Sequence, residues 1–427
     1  MTRGGSIARR FRATGPSGAD PDVALLFLTR AIRMFGYGLL SVVLVLYLTA
    51  LGLSAAEVGL LLTLTLLGDA AVSLWLTTHA DRIGRRRVLI AGAGLMLAAG
   101  LAFVATPVYV VLLVAATIGV ISPSGNEVGP FLAIEQASLS QVVGSDRRTG
   151  ILARYQLVGS FATAAGALAG GGLAQLAIGR GASAADAYRL VIVGYALAGV
   201  ALALLFSRAS VRIEVPAGEL TDAAIRTRLG LHRSQRVVLR LSALFALDAF
   251  AGGFVIAGFI TLWFKDRFGM DPAALGGLIF GANILAGLSA LVAGPLARRF
   301  GLVRTMVFSH LPSNVLLVLV PFMPTLALAA TVLLIRFSIS QMDVPTRQSY
   351  TIAVVAPDER SAAAGVTGIA RSLGVAASPL IAAPLYLTAA LAGAPFIIAG
   401  GLKILYDVLL YRAFRASPAP EEVRTKT

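Results

Sequence analysis

The amino-acid sequence predicts an all-α membrane protein with twelve transmembrane helices in two pseudo-symmetric six-helix bundles. The first observation behind this is composition. Of 427 residues, 57% are hydrophobic and only 13% are charged, whereas soluble domains carry about 25% charged residues. So few charges cannot cover the surface of a soluble protein of this length, so lipid must solvate most of it.

The second observation is the number of apolar runs of about 20 residues, the length that crosses a hydrocarbon core of ~30 Å. The twelve predicted spans, numbered in chain order, cover residues 23–50, 55–78, 87–106, 108–139, 149–177, 187–206, 238–264, 273–296, 303–321, 325–355, 361–391 and 394–412. Arg9-Arg10 precedes span 1, as in twin-arginine export signals. Span 1 is about twice as long as a signal-peptide core, so we interpret it as a retained helix.

The third observation is internal repetition. The polar stretch 207–237 separates a first bundle, 23–206, from a second, 238–412, and the predicted tails are 1–22 and 413–427. Shifts of 217 and 212 residues align segments of the two bundles, namely 53–59 with 270–276, 79–87 with 296–304, and 136–149 with 348–361. Both bundles have six spans and begin on the same side of the membrane, so the repeat is parallel.

The placement of Lys and Arg predicts the orientation. Of 36 such residues, 26 lie in segments on the side of the N-terminus. The four on the other side are Arg180, Arg189, Lys265 and Arg267. Both termini are therefore predicted to be cytoplasmic, in a multi-pass protein of the cytoplasmic membrane. The net charge of +15 follows from this bias and implies no nucleic-acid partner.

The sequence lacks the residues that several kinds of protein chemistry require. The chain has no Cys, and His79, His232 and His310 are far apart, so neither thiol chemistry nor a Cys- or His-based metal site is expected. No glycine-rich loop ends in Gly-Lys-Ser/Thr, the motif that holds nucleotide phosphates. We expect no metal, no cofactor and no enzyme activity, and a protein that functions as a monomer.

A short motif lies between spans 2 and 3. It reads Thr-Thr-His-Ala-Asp-Arg-Ile-Gly-Arg-Arg over residues 77–86, and an echo, Gly-Pro-Leu-Ala-Arg-Arg-Phe-Gly, occupies residues 294–301. The glycine before the last arginines permits a tight turn between two helices. Asp81 stands at a helix C-terminus, where the helix dipole disfavours an anion. It is therefore expected to pair with Arg85 or Arg86, or with an adjacent helix N-terminus.

These features resemble the major facilitator superfamily over nearly the whole chain. The loop signature of that family is Gly-x-Leu-Ala-Asp-Arg-x-Gly-Arg-Arg/Lys, and this chain keeps Asp-Arg-x-Gly-Arg-Arg in the first half and Gly-x-Leu-Ala in the second. The resemblance implies the major facilitator fold and a cytoplasmic gate, beyond the alternative of a simple topology anchor made of basic residues. The candidate gate residues are Asp81, Arg82, Gly84, Arg85, Arg86, Arg298, Arg299 and Gly301.

Span 5 partly matches the antiporter signature of the same family, Gly-x-x-x-Gly-Pro-x-x-Gly-Gly. Residues 162–171 have Ala at the first Gly and at the Pro, and Ser378-Pro379 stands at the equivalent place in the second half. The match favours export. Small residues at this spacing also let any two membrane helices pack closely.

Charged residues inside spans are costly and therefore suggest function. The predicted spans contain Arg30, Arg33, Asp69, Glu127, Glu135, Arg154, Asp248, Arg336, Asp343, Arg371, Lys403 and Asp407. They fall largely on spans 1, 4, 7 and 10, which line the central cavity in the family that the chain resembles. The candidates for binding substrate or protons are Arg30, Arg33, Tyr37, Asp69, Asn126, Glu127, Asp248, Arg336 and Asp343.

Span 4 contains Ser-Pro-Ser-Gly-Asn-Glu-Val-Gly-Pro at 122–130, which is expected to kink or break the helix. Non-helical backbone at membrane depth is tolerated where it is buried in protein or lines a cavity. We expect it to present Asn126 and Glu127 to a ligand, with a packing kink as the alternative. The family's helix-4 arginine motif is not recognisable here, and Arg336 stands instead at the span-10 position equivalent to Ser124.

Other charges are expected to have simpler roles. Lys403 and Asp407, one turn apart on span 12, are expected to neutralise each other. Arg154 and Arg371 lie near span ends, from which their side chains can reach the interface. Asp69 is either an acid of the cavity or a partner of the loop arginines.

The expected function is secondary active transport of a small organic solute by alternating access, with proton-coupled efflux favoured. Glu127 is the first choice for the proton-carrying acid, followed by Asp248 or Asp343. Arg336 is expected to bridge to Asp343 or Glu127 in the empty site and to contact an anionic or polar group of the substrate. The alternatives are proton-coupled uptake of an anionic or zwitterionic solute, and a non-transporting receptor or membrane-embedded enzyme.

Overall fold

The computed structural model describes residues 20–127, 129–143, 145–214, 233–356 and 359–415. These residues are helical apart from turns and the interruptions given below, and no β-strand occurs among them. Parts of the predicted tails and of the central stretch, at 1–19, 215–232 and 416–427, lie outside the described residues.

The first half contains seven helices within the described ranges. They are α1 (Pro21–Ala50), α2 (Ala55–Ile83), α3 (Arg85–Ala105), α4 (Tyr109–Ile118), α5 (Phe131–Val142), α6 (Ser145–Gly179) and α7 (Ala184–Phe206). Predicted span 4 comprises α4 and α5, so the predicted break in it is confirmed. The other five spans of this half consist of one helix each.

The second half is interrupted more often than the sequence indicates. Its helices are α8 (Gln235–Gly253), α9 (Ala257–Phe268), α10 (Pro272–Phe300), α11 (Leu302–Leu319), α12 (Leu326–Ile339), α13 (Asp343–Ala353), α14 (Arg360–Ala377), α15 (Pro379–Leu387) and α16 (Ala394–Phe414). Spans 7, 10 and 11 are pairs of helices, α8 with α9, α12 with α13 and α14 with α15. In the described part of the chain, eleven segments are long and apolar enough to cross a membrane, and α4 alone is a shorter apolar helix.

Matching helix ends make the internal repeat visible. Helices α2 and α10 each have 29 residues and begin after side-chain N-caps, Ser54 and Asp271, that are 217 positions apart. They end at Gly84 and Gly301, again 217 apart, with φ of 104° and 89°. Glycine adopts such φ values without the steric clash of a Cβ atom. This requirement explains why both copies of the motif keep this glycine.

The two halves pack closely at the end remote from these glycine turns, which we call the far end. A methyl group on Gly171 of α6 would lie 2.1 Å from the carbonyl oxygen of Pro272 in α10. A methyl group on Gly59 of α2 would lie 2.9 Å from the carbonyl oxygen of Pro379 in α15. Small residues thus let helices of opposite halves touch through their backbones.

Candidate functional site

Each half holds its own cluster of buried charges. The first-half cluster is formed by side chains from α1, α5 and α6 and from the interruption between α4 and α5. Its members are Arg30, Arg33, Glu127, Glu135, Tyr155 and Gln156. The second-half cluster joins α8, α11, α12, α13, α14 and α16. Its charged members are Arg336, Arg347, Arg371, Lys403, Asp248, Asp343 and Asp407, with His310 beside them.

Arg33 is the most buried cation of the first-half cluster. Its two terminal nitrogens donate to the two carboxylate oxygens of Glu135, at 2.9 and 2.7 Å. Its Nε donates to Oε1 of Glu127 at 2.9 Å, and its guanidinium carbon lies 4.6 Å from the centre of the Phe131 ring. Removing one partner of such a buried pair leaves an uncompensated charge, which costs about 3–5 kcal/mol.

Arg30 lies along α6. Its Nε donates to the carbonyl oxygen of Tyr155 at 2.9 Å, and its terminal nitrogens donate to Glu127 at 2.5 Å and to Gln156 at 2.6 Å. Gly159 leaves room for it, because a methyl group there would lie 2.6 Å from its Nε. Two guanidinium groups thus face two carboxylates, and the first-half cluster is electrically balanced.

The interruption of span 4, described at residues 119–127 and 129–130, supplies Glu127 to this cluster. Its backbone turns through positive φ at Gly125 (72°) and Gly129 (80°). Asn126 is exposed, and the Glu127 side chain remains 14% exposed although it pairs with two arginines. The segment therefore presents a carboxylate that belongs to the ionic cluster and is also partly exposed.

Asp69 binds this interruption. Its Oδ1 accepts a hydrogen bond from the N–H of Gly129 at 2.6 Å and another from Ser73 Oγ at 3.2 Å. Asp69 was expected to be either an acid of the cavity or a partner of the loop arginines. Neither of these two hydrogen bonds involves a loop arginine. Tyr37 is fully buried one turn after Arg33.

Asp248 is the centre of the second-half cluster. Its carboxylate accepts from Lys403 Nζ at 2.5 Å, from Arg347 at 3.2 Å and from Arg371 at 3.2 Å. Arg347 also lies 3.0 Å from Asp343, one turn earlier on α13. One carboxylate on α8 therefore holds together α13, α14 and α16.

The expectation that Lys403 and Asp407 neutralise each other is wrong. Lys403 reaches Asp248 on α8, whereas Asp407 lies 2.9 Å from His310 Nδ1 and accepts from Asn314 at 2.9 Å, both on α11. The two side chains share a turn of α16 but turn toward different neighbouring helices. A buried charge needs partners in fixed geometry, and the adjacent helices supply them.

Three further arginines differ in their surroundings. Arg371 donates to Asp248 while its side chain stays 35% exposed. Arg154 is exposed as expected. Arg347, which lies within predicted span 10, is buried in α13.

Arg336 differs from every other arginine of the clusters. Its side chain is 8% exposed, its Nε is buried without a partner, and its guanidinium forms no ion pair with a residue that the structure describes. Its guanidinium carbon lies 4.7 Å from the centre of the Phe337 ring. The expected bridge to an acid is therefore wrong here, because Asp343 is engaged by Arg347 and Glu127 by the arginines of α1. Apart from His310, the second-half cluster has four cations and three carboxylates.

The two clusters contain the same ion pair with reversed polarity. An arginine on span 1 pairs with Glu135 on span 4, while Asp248 on span 7 pairs with Arg347 on span 10. Glu135 and Arg347 are equivalent positions under the 212-residue shift. Neither was among the residues expected at the site. Opposite charges at equivalent places in the repeat are the signal that points to them.

The turn between α2 and α3 is tied to the beginning of the central stretch. Asp81 pairs with Arg85 at 2.9 Å, and Arg85 also donates to Gln141 at 2.9 Å. The carboxylate of Glu214 accepts from the backbone N–H groups of Arg85 and Arg86, at 2.7 and 3.1 Å. A carboxylate in this position caps the N-terminus of α3 and complements its dipole.

The remaining gate candidates lie at the same end of the bundles. Arg82, Arg298 and Arg299 are exposed, and Gly301 forms the turn of the second half. The guanidinium carbon of Arg299 lies 5.3 Å from the centre of the Phe300 ring.

Two repeated bundles of membrane-spanning helices with buried charges in their cores define a membrane transport protein. The chain belongs to the Major Facilitator Superfamily, whose family model matches residues 26–379 and 249–427. It is therefore a transporter and not an enzyme.

Comparison with known proteins agrees with this assignment. Uncharacterized membrane protein YJR124C of Saccharomyces cerevisiae is 31% identical over 424 residues, covering 92% of this chain and 94% of the yeast protein. Among solved structures, the nucleoside transporter NupG is similar with a TM-score of 0.72 and 12% identity, covering 92% of this chain and 100% of that one. A bacterial homologue of the human lysosomal transporter Spinster, in an inward-facing and occupied conformation, has a TM-score of 0.72 and 16% identity, covering 94% and 100%. At these identities the solved structures show the fold alone.

Proposed function

We propose that the protein is a proton-coupled exporter of a small organic solute that carries an anionic group, and that it works by alternating access. The observation that carries the proposal is the buried, unpartnered guanidinium of Arg336. The partial antiporter signature in span 5 favours export.

The argument from Arg336 is electrostatic. A guanidinium keeps its charge in a protein and offers a planar fork that matches a carboxylate or phosphate. Burying it without an acceptor is unfavourable, so the second half has a site that an anionic group of a solute would stabilise. An acid of this chain does not fill that role among the described residues, because Arg347, Arg371 and Lys403 engage Asp248 and Asp343, and His310 and Asn314 engage Asp407.

Proton coupling is assigned to Glu127, with Asp248 or Asp343 next. Glu127 bridges Arg30 and Arg33 and is 14% exposed, so a proton from outside the cluster can reach it. Protonation would weaken both bridges at once, because it removes the negative charge that attracts the two guanidinium groups. Proton binding would thereby change how span 1 is held to the interruption of span 4.

Gating is assigned to the end with the glycine turns, which we propose to be cytoplasmic, together with both termini, in the cytoplasmic membrane. The pair of Asp81 and Arg85 and the exposed arginines of the second-half echo line this end. Closure there and opening at the far end would expose the central site to the outside.

Counterflow in proteoliposomes with a panel of anionic, zwitterionic and cationic solutes tests the proposal. We expect anionic solutes to exchange, an inward proton gradient to drive their export, and Arg336→Lys to weaken solute affinity about tenfold, which corresponds to about 1.4 kcal/mol. Arg154→Lys, at an exposed position of α6, is the matched control. Equal solute affinity in the wild type and Arg336→Lys would contradict the role of Arg336. If the solute instead moves in the same direction as the protons, the protein is an importer and the export part of the proposal is wrong.

A further inference from the structure

The interruption of span 4 is closed on itself. Its two ends meet, because a methyl group on Gly129 would lie 2.5 Å from Cγ1 of Val120. Val120 itself has a φ of 56°, which a β-branched residue adopts only under strain. A segment in this conformation persists only when its surroundings hold it in place.

Side chains of neighbouring helices supply that hold. Tyr195 of α7 donates to the carbonyl oxygen of Val120 at 2.9 Å, which fixes the beginning of the interruption. Within the segment, Ser122 Oγ donates to the carbonyl oxygen of Asn126 at 2.7 Å. At the other end, the N–H of Gly129 donates to Asp69. Asp69 therefore fixes the end nearest to Glu127.

We propose that Asp69 is a positioning residue that sets where Glu127 stands, by holding the N–H of Gly129, which is two residues further along the chain. Because the two residues are so close in sequence, a shift of Gly129 is expected to move the Glu127 carboxylate relative to Arg30 and Arg33.

The chemistry of this contact separates positioning from proton transfer. The side-chain oxygen of asparagine accepts the same hydrogen bond from Gly129 but cannot carry a proton at the carboxyl position. Asp69→Asn should therefore preserve the interruption, and Asp69→Ala should release it. The effect of a displaced Glu127 on transport rests on the proposed role of Glu127 in proton coupling. The hydrogen bond by which Asp69 holds Gly129 in place does not depend on that role.

The test uses the full chain, which contains no Cys, with a single thiol introduced as Ile121→Cys, at a position of the interruption that is only 2% exposed. In purified protein we expect Asp69→Ala to raise the rate of maleimide labelling about tenfold through local opening of the segment. Hydrogen exchange of peptides covering 119–130 should rise in parallel. Asp69→Asn and the control Ser73→Ala should stay within about twofold of the parent.

Two outcomes would overturn the positioning role. One is an Asp69→Ala variant that labels and exchanges like the parent, and the other is an Asp69→Asn variant that opens as far as Asp69→Ala. If Asp69→Ala does not fold, Asp69→Leu, which also lacks an acceptor for the N–H of Gly129, takes its place, and parent-like labelling of that variant would overturn the role. None of these readouts involves transport, so they succeed or fail separately from the proposed export.

Discussion

At the scale of single residues, the buried arginines differ in whether their guanidinium groups have acceptors. Arg30 and Arg33 have every acceptor they need from Glu127, Glu135 and the backbone of α6. Arg336 has none among the described residues. The contrast separates arginines that hold helices together from the one that we propose to contact a solute.

Glu127→Gln should abolish proton-driven accumulation while leaving counterflow of the solute in place. The amide keeps the size of the side chain and can still accept from an arginine, but it cannot take up a proton. Solute transport with and without an imposed pH gradient in proteoliposomes measures both quantities. Glu57→Gln, at an exposed helix start, is the control. Normal pH-driven accumulation in Glu127→Gln would move the coupling acid to Asp248.

The sequence predicts which residues are charged and buried but not which of them pair. Lys403 and Asp407 are one helical turn apart, and this spacing predicts an ion pair between them. In the structure each side chain instead contacts a different neighbouring helix. Periodicity describes one helix at a time, whereas ion pairs here join different helices. Glu135 with Arg33, 102 residues apart, is invisible to any local pattern.

At the scale of elements, spans 4, 7, 10 and 11 are each interrupted and consist of two helices. The one in span 4 is readable in the sequence because two prolines and two glycines fall within nine residues. Those in spans 7 and 10 lack proline, and they form where tertiary contacts replace helical hydrogen bonds. Span positions were therefore predictable, while most breaks within them were not.

Gly171→Ala should destabilise the conformer that is closed at the far end by about 1–3 kcal/mol, the usual cost of overpacking. Its methyl group would overlap the carbonyl oxygen of Pro272, which α10 brings to 2.1 Å. The population should shift toward conformers open at that end. Labelling of single cysteines placed near the far ends of α6 and α10 reports this shift.

Gly172→Ala is the matched control, because a methyl group there meets no heavy atom within 4 Å. Its labelling pattern should equal that of the parent. If the two variants behave alike, the close contact of α6 with α10 has no part in closing the far end.

At the scale of the whole molecule, the two halves are separate in their electrostatics. Every ion pair of the described clusters joins residues of the same half, so relative motion of the halves breaks none of them. The beginning of the central stretch belongs to the first half as well. Ser210 donates to Asp22 through its N–H at 3.1 Å, and Arg212 pairs with Asp20 at 2.8 Å.

Two chains, 1–214 and 215–427, should therefore assemble when they are produced together and retain about half or more of the transport activity, because each keeps its own ion pairs and apolar residues of both pack in one core. Cutting after residue 206 instead should lower activity further, because it detaches the residues that tie α1 to the turn before α3. Counterflow by the copurified chains measures both. Equal loss at the two sites would show that residues 207–214 contribute nothing to the first half.

The distance along the chain between ionic partners also shapes how the protein is made. Arg33 leaves the ribosome 102 residues before Glu135. Synthesis proceeds at about 5–20 residues per second, so the first span waits about 5–20 s with unpaired cations. Asp248 precedes its first arginine partner, Arg347, by 99 residues and Lys403 by 155. We therefore expect newly inserted spans to stay beside the insertion machinery until the residues that neutralise their charges have been made.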